Sequence, residues 1–139
     1  MSRILLDTSA YSAFRRGHPQ IQHRIREASE IQVSPIVLGE LRGGFLKGTR
    51  LAENLAGLAQ FLASPRVEVV LVEEETAERY ALILDSLRRA GTPIPVNDVW
   101  IAASAMQYGS VLLTTDPHFR AVAQIAAEIL EPHLSKPQA

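Results

Sequence analysis

Short runs of consecutive apolar residues alternate with helical patterns along most of the chain. The first run, from Ile4 to Leu6, ends at Asp7 and is followed by a helical pattern from Tyr11 to Arg16. Apolar residues without polar interruption are typical of strands covered on both faces of a parallel sheet. Strands that alternate with helices are joined by right-handed crossovers. The sequence therefore predicts an α/β fold with a parallel sheet, and Asp7 lies at the carboxyl end of a buried strand, where such sheets bind ligands.

Further strands and helices are predicted along the rest of the chain. The predicted strands span residues 31–33, 67–72, 111–115 and 128–130. The predicted helices span residues 20–29, 36–47, 50–63, 73–91 and 99–108, and one more begins at residue 116. Prolines at 93 and 95 are expected to keep the segment before the helix of residues 99–108 extended. We expect one domain over residues 1–131 and a flexible tail over residues 132–139.

The composition limits the kinds of protein that this chain can be. It contains no cysteine, so disulfides and thiolate metal sites are excluded and a reducing cytoplasm is expected. We expect no signal peptide and no membrane association, because no apolar stretch approaches the roughly 20 residues of a membrane span. The net charge of −1 does not indicate nucleic-acid binding, although residues 1–60 carry eight Lys/Arg against five Asp/Glu. Twelve of the fourteen basic residues are arginine, which suits phosphate binding but equally a solvated surface.

Three of the four aspartates, Asp7, Asp98 and Asp116, lie where a strand or an extended segment passes into a helix. One interpretation is that each caps its helix, a common role for aspartate that contributes about 1 kcal/mol. Ser, Thr or Asn would serve as well in that role. Aspartate at all three positions therefore also favours a second interpretation, in which the carboxylates meet at one edge of the sheet.

Glu40 adds a fourth carboxylate, in the middle of a helix. Its neighbours on the same helix face are apolar or small, namely Ile36, Val37, Leu41 and Gly44. Glu40 is too far into the helix to act in a capping box. A carboxylate on a buried face is costly unless it is paired or coordinates a metal. Two roles follow: an internal salt bridge, for instance to an arginine of the first helix, or a metal ligand.

Carboxylates gathered in one cleft repel one another, and a hard divalent cation relieves that repulsion. Mg²⁺ prefers oxygen ligands, keeps several waters and often binds few protein carboxylates together with substrate phosphates. Such an ion suits phosphoryl chemistry, because it activates water and neutralises charge on the attacking and leaving oxygens. Thr8, Ser9 and Thr115 are expected to hydrogen-bond these carboxylates or a ligand water, or to act only as turn and cap hydroxyls.

Four segments carry these acids in order along the chain. They are Leu6-Asp7-Thr8-Ser9, Gly39-Glu40-Leu41, residues 97–103 (Asn-Asp-Val-Trp-Ile-Ala-Ala) and residues 114–119 (Thr-Thr-Asp-Pro-His-Phe). As a set they resemble the four acidic motifs of PIN-domain ribonucleases, and more narrowly those of VapC-type toxins of bacterial and archaeal toxin–antitoxin pairs. The order and spacing of these segments extend over nearly the whole chain, so the set is specific although each motif alone is weak.

The resemblance implies a fold, an activity and partners. The fold would be a three-layer α/β/α PIN-like fold with a central, mainly parallel sheet of about five strands. The activity would be a Mg²⁺- or Mn²⁺-dependent endoribonuclease acting on structured RNA such as tRNA or rRNA. The partners would be a second copy in a homodimer and a small VapB-type antitoxin that blocks the cleft. The family's catalytic and metal-binding acids correspond to Asp7, Glu40, Asp98 and Asp116.

Other functions fit the sequence less well. A non-catalytic PIN-like RNA-binding or adaptor protein is the main alternative, and loss of one or more acids would indicate it. A haloacid-dehalogenase-like phosphatase needs a second acid two residues after Asp7, where this chain has Ser9. A receiver domain needs a lysine at a later strand end, and the only lysines are Lys47 and Lys136. We expect His118 to be an exposed residue at a helix start rather than a catalytic group.

One further pattern bears on partners. Leucines at 51, 55, 58 and 62 form one stripe of the helix predicted over residues 50–63. The stripe belongs either to the core or to an interface with a second copy or an antitoxin helix.

Overall fold

In the computed structural model, which describes residues 2–133, a five-stranded sheet lies between layers of helices. The strands are β1 (Arg3–Leu6), β2 (Glu30–Val33), β3 (Val67–Val69), β4 (Val111–Thr114) and β5 (Ala126–Ile129). The helices are α1 (Thr8–Arg15), α2 (Pro19–Glu27), α3 (Pro35–Lys47), α4 (Leu51–Leu62), α5 (Glu74–Ala90) and α6 (Val96–Tyr108), with a short 3-10 helix at Pro117–Ala121. The strand order is β3-β2-β1-β4-β5 and every pair is parallel. The predicted α/β/α fold is confirmed.

Strand β1 lies at the centre of the sheet and has no exposed apolar side chain. Ile4, Leu5 and Leu6 are each 0% exposed. Successive side chains of a strand point to opposite faces. Ile4 and Leu6 therefore pack on one face with Ile21 of α2, whereas Leu5 packs on the other with Val99 of α6. Each such side chain contributes about 1.5–3 kcal/mol on burial, so the strand that carries Asp7 is held rigidly.

The strand order places a topological switch point between β1 and β4. From β1 the chain passes to β2 and β3 on one side, and it then returns to β4 and β5 on the other side. Leu6 pairs with Leu113, so the residues after β1 and after β4 emerge side by side at the carboxyl edge of the sheet. Open α/β sheets bind ligands in the crevice at such a point.

Strand β3 is shorter than the sequence predicts. It ends at Val69 instead of continuing to Val72, and Leu71 and Val72 are exposed. As an edge strand β3 pairs only with β2, and the last pair joins Val33 to Val69. Val70 still donates its backbone N–H to the Val33 carbonyl at 3.0 Å, but Leu71 and Val72 have no strand to pair with, so hydrophobicity alone predicted too long a strand.

Helix α6 begins three residues earlier than predicted, at Val96, and Pro95 occupies the N-cap position. Proline restricts the residue before it but is compatible with a helix that starts directly after it. Asp98 therefore lies in the first turn of α6 and does not cap it. Asp116 does act as a cap, but of a 3-10 helix of five residues.

Helix α4 divides the leucine stripe between core and surface. Leu58 is buried, Leu55 and Leu62 are partly buried, and Leu51 is exposed. Leu46, near the end of α3, is also exposed. Of the predicted tail, residues 132–139, the part from residue 134 onward lies outside the described residues. Within the part of the chain that the structure describes, no helix is long and apolar enough to cross a membrane.

Candidate active site at the carboxyl edge of the sheet

Asp7 directly follows β1 and caps α1, and it is 4% exposed. Its Oδ1 accepts hydrogen bonds from the Ala10 backbone N–H at 2.8 Å and from Ser9 Oγ at 2.8 Å. Its Oδ2 accepts a hydrogen bond from Thr114 Oγ1 at 2.6 Å. Burial raises the pKa of Asp7, the hydrogen bonds oppose this, and the charge of Asp116 adds to the rise. The predicted capping role is confirmed, and the cap leaves the carboxylate at the switch point.

Thr114 performs the hydroxyl role that the sequence assigned to Thr115. Thr114 is 0% exposed, and its Oγ1 donates to Asp7 and accepts from the Asp116 backbone N–H at 2.9 Å. Thr115 contributes its backbone N–H, which donates to Ser9 Oγ at 3.0 Å. Because Leu6 pairs with Leu113, the next residue on each strand, Asp7 and Thr114, are also neighbours. The strand register decides between the two threonines, and the sequence alone does not reveal it.

Asp98 lies opposite Asp7, in the first turn of α6, and its side chain is 15% exposed. Burial, and after it the charges of Asp116, Asp7 and Glu40, raises its pKa to about 6. The His118 charge acts in the opposite direction. Asp116, Asp7 and Glu40 therefore lie close enough to Asp98 for their charges to act on its carboxyl group.

Asp116 and His118 form the outer part of this cluster. The His118 Nδ1 lies 3.1 Å from Asp116 Oδ1 and 3.7 Å from Asp98 Oδ2. One ligand atom from each of these residues lies within 4.8 Å of the others. The His118 side chain is 55% exposed, as expected, yet it also contacts two of the acids. The sequence could not reveal this contact, since it depends on how the 3-10 helix meets α6.

Glu40 reaches the same edge from α3. Its Oε1 accepts a hydrogen bond from Thr8 Oγ1 at 2.6 Å, and its Oε2 accepts one from Asn97 Nδ2 at 3.5 Å. Within residues 2–133, no arginine lies within ion-pair distance of Glu40, so the salt-bridge alternative is wrong. Val37 and Leu41 are buried beside Glu40 as predicted, whereas Gly44 is exposed. Asn97 was not predicted as a site residue, because an amide next to an aspartate carries no specific signal.

The donor set fits a hard divalent cation. The four acids supply carboxylate oxygens, the ligand type that Mg²⁺ and Mn²⁺ favour. Burial is the largest cause of the raised pKa of Asp98, and the charges of its neighbours add a repulsion that a cation would relieve. Glu40, Asp98 and Asp116 are each partly exposed, so an ion and its waters can reach them.

Known proteins resemble the chain in sequence and in fold. A family described as PIN domain matches residues 4–125, a range that includes all four acids. Ribonuclease VapC4 of Mycobacterium tuberculosis is 34% identical over 93 residues, which are 67% of this chain and 72% of that protein. Ribonuclease VapC5 of the same organism is 27% identical over 85% of this chain and 86% of that protein. A chain in the crystal structure of DNA-bound VapBC from Salmonella typhimurium has a TM-score of 0.82 and 30% identity, covering 93% of this chain and 98% of that chain.

Proposed function

The chain belongs to the PIN domain family, as its four acidic segments predict, and from this premise we propose that it is a divalent-metal-dependent endoribonuclease. The observation that supports this best is the group of four carboxylates at the switch point, where burial, and after it the charges of Asp116, Asp7 and Glu40, raises the pKa of Asp98 to about 6. The relatives named ribonucleases support RNA as the substrate. We expect a structured RNA, such as tRNA or rRNA.

Asp7, Glu40, Asp98 and Asp116 would hold Mg²⁺ or Mn²⁺. When bound, such an ion lowers the pKa of water and neutralises charge on a phosphodiester. The need for it follows from charge, because carboxylates and a phosphate repel one another when no cation lies between them. Without the ion the carboxylates would repel a phosphate held directly against them.

The chain's own residues position the acids. Ser9, Thr114 and the Ala10 N–H fix both oxygens of Asp7, which keeps the buried carboxylate in one rotamer. Thr8 and Asn97 occupy one lone pair on each oxygen of Glu40 and leave the others for a cation or a water. Asp98 accepts no hydrogen bond from the described residues, so its oxygens are available to a ligand.

We further propose that the protein is the toxin of a toxin–antitoxin pair, acts as a homodimer in the cytoplasm and is silenced by a small VapB-type antitoxin. The similarity to a chain of a VapBC assembly supports this role. The exposed leucines Leu46 and Leu51, which lie near the junction of α3 and α4, supply apolar surface for a protein partner.

Cleavage of purified tRNA and rRNA in Mg²⁺, in Mn²⁺ and in excess chelator tests the activity. We expect cleavage only with metal, and we expect Asp98→Asn to reduce it at least about 100-fold, since loss of one partner around a metal ligand already costs 10–100-fold. Asp85→Asn is the matched control, because Asp85 pairs with Arg89 on α5 at 3.0 Å and is the one aspartate outside the cluster. Full cleavage by Asp98→Asn, or equal losses in both variants, would contradict the proposal. Sequencing RNA ends after induced expression would identify the RNA.

A further inference from the structure

A cavity with two arginines in its lining lies between α1, α3 and α4. It has a volume of about 190 Å³. Its polar walls include Tyr11, Arg15 and Arg16 from α1 and its C-cap, together with Asn54 of α4, and Leu41 of α3 closes one side. The acids of the active site are absent from this lining. The cavity therefore has the charge opposite to that of the neighbouring cluster.

Tyr11, which lines this cavity, has an unpaired polar atom. The residue is 3% exposed, and its hydroxyl has no hydrogen-bond partner among the described residues. Buried tyrosine hydroxyls usually have a partner, so an orphaned one indicates a missing ligand or water. Burial raises the pKa of Tyr11 and the Arg15 charge lowers it in part, so the hydroxyl lies within the field of that guanidinium.

The two arginines are free to bind an anion. Within residues 2–133, neither Arg15 nor Arg16 forms an ion pair. The Arg15 guanidinium lies against the backbone of α4, where a Cβ added at Gly57 would be 2.5 Å from its Nη2. Glycine at this position thus makes room for the guanidinium. The helix dipole places a partial charge of roughly −0.5 at the carboxyl end of α1, and the two positive charges of the arginines exceed it.

Helix α1 leads from the cavity to the acids. Thr8, Tyr11 and Arg15 are spaced i, i+3 and i+7, so they share one face of α1. Thr8 on this face donates to Glu40 of α3, and Leu41, the next residue of α3, lines the cavity. Thr8 and Arg15 are about 10 Å apart along the helix axis. A polynucleotide bound at the acids would need to extend about 10 Å along α1 to reach the arginines.

We propose that this cavity is a subsite for a backbone phosphate of the RNA, bound by Arg15 and Arg16 and by the Tyr11 hydroxyl, at a distance from the scissile bond. The proposal rests on the proposed function. An RNA phosphate fits better than an acidic protein segment, because Arg15 lies about 10 Å along α1 from Thr8, which contacts Glu40 of the proposed site for a phosphodiester.

Binding measurements without cleavage test this subsite. A short fluorescent single-stranded RNA is titrated with protein in excess chelator at several salt concentrations, and anisotropy gives Kd. We expect Arg15→Gln to weaken binding about threefold to tenfold and to reduce the slope of log Kd against log salt by about 0.7, the value for one phosphate contact on a single strand. Tyr11→Phe should weaken binding without changing the slope, since it removes no charge. It should also melt no lower than wild type, because it removes an unpaired buried hydroxyl.

Arg26→Gln is the matched control. Arg26 also lies in the last turn of a helix, is exposed, and has no ion pair within the described residues. The subsite would be overturned if the slope of log Kd against log salt were equal for Arg15→Gln and Arg26→Gln. The absence of any RNA binding by the wild type would also overturn it. The subsite would also be overturned if Arg15→Gln weakened binding of a poly-glutamate peptide and left RNA binding unchanged. That result would indicate a protein partner. Failure of the proposed function has a different signature: metal-independent or absent cleavage, with the Arg15 dependence of RNA binding intact.

Discussion

Asp7 and Asp98 are two carboxylates of one site with opposite surroundings. Asp7 is buried and accepts hydrogen bonds from a backbone N–H and two hydroxyls. Asp98 accepts none from the described residues and faces three other carboxylates, whose charges help to raise its pKa to about 6. The protein itself satisfies the polar atoms of Asp7, whereas Asp98 lacks any partner except His118 at 3.7 Å. The residues after β1 and β4 thus build a fixed half of the site, and we propose that a ligand completes the half that α6 supplies.

Removal of the side-chain acceptor should separate the two halves most clearly. Alanine and asparagine both remove the charge, but only asparagine keeps an acceptor oxygen. We therefore expect Asp7→Ala to have a free energy of unfolding about 1–3 kcal/mol lower than Asp7→Asn, since alanine leaves buried donors unpaired. Asp98→Ala should be equal to Asp98→Asn or slightly more stable, because alanine is the better helix former. Denaturant unfolding in chelator measures the free energy of unfolding of all four variants. If alanine and asparagine differed by the same free energy at both positions, the distinction between the two halves of the site would be wrong.

The fixed half depends on Thr114, and a matched pair of threonines tests this. Thr114→Val removes the hydroxyl that donates to Asp7 and accepts from the Asp116 N–H, so it should lower the free energy of unfolding by about 1–2 kcal/mol. It should also reduce RNA cleavage about tenfold or more. Thr115→Val should have little effect on either, since Thr115 acts through its backbone. Urea titrations and cleavage rates for both variants provide the measurement, and a larger effect at Thr115 would contradict the observed register.

These two threonines also show which parts of the site a sequence can reveal. Acids after consecutive apolar runs meet at one edge because parallel strands end together, so Asp7 and Asp116 could be placed from sequence. The choice between Thr114 and Thr115 depends on strand register. The Thr8 and Asn97 hydrogen bonds to Glu40 depend on how α3 meets α1 and α6. The early end of β3 depends on the length of its neighbour. Each of these is a tertiary contact that no local pattern encodes.

The free energy of unfolding should depend on pH through Asp98, which belongs to the half of the site that α6 supplies. The folded-state pKa of Asp98 lies above its ordinary value of 3.8, so the folded protein binds the proton more tightly than the unfolded chain does. The resulting penalty is present at neutral pH and is relieved as the pH falls through about 6 toward 4. In chelator, wild type should be less stable than Asp98→Asn by about 1–2 kcal/mol at neutral pH, after allowance for solvent screening.

The difference in free energy of unfolding between wild type and Asp98→Asn should disappear as the pH falls below the raised pKa of Asp98. Thermal and denaturant melts in chelator, repeated between about pH 7 and 4.5, measure it. A gap that stays constant over this range would mean that Asp98 does not titrate as described.

The most direct test of a divalent-metal site is the response of stability to metal at neutral pH. Melting temperatures are compared in chelator and in excess Mg²⁺ or Mn²⁺ for wild type, Asp98→Asn, Asp116→Asn and the control Asp85→Asn. A ligand at about 100 times its Kd stabilises the state that binds it by about 2.7 kcal/mol. We expect metal to raise the melting temperature of wild type and of Asp85→Asn by several degrees and that of the two cluster variants by much less. In chelator, both cluster variants should melt at or above wild type. Equal responses in all four proteins, or no response in wild type, would contradict a metal site at these carboxylates.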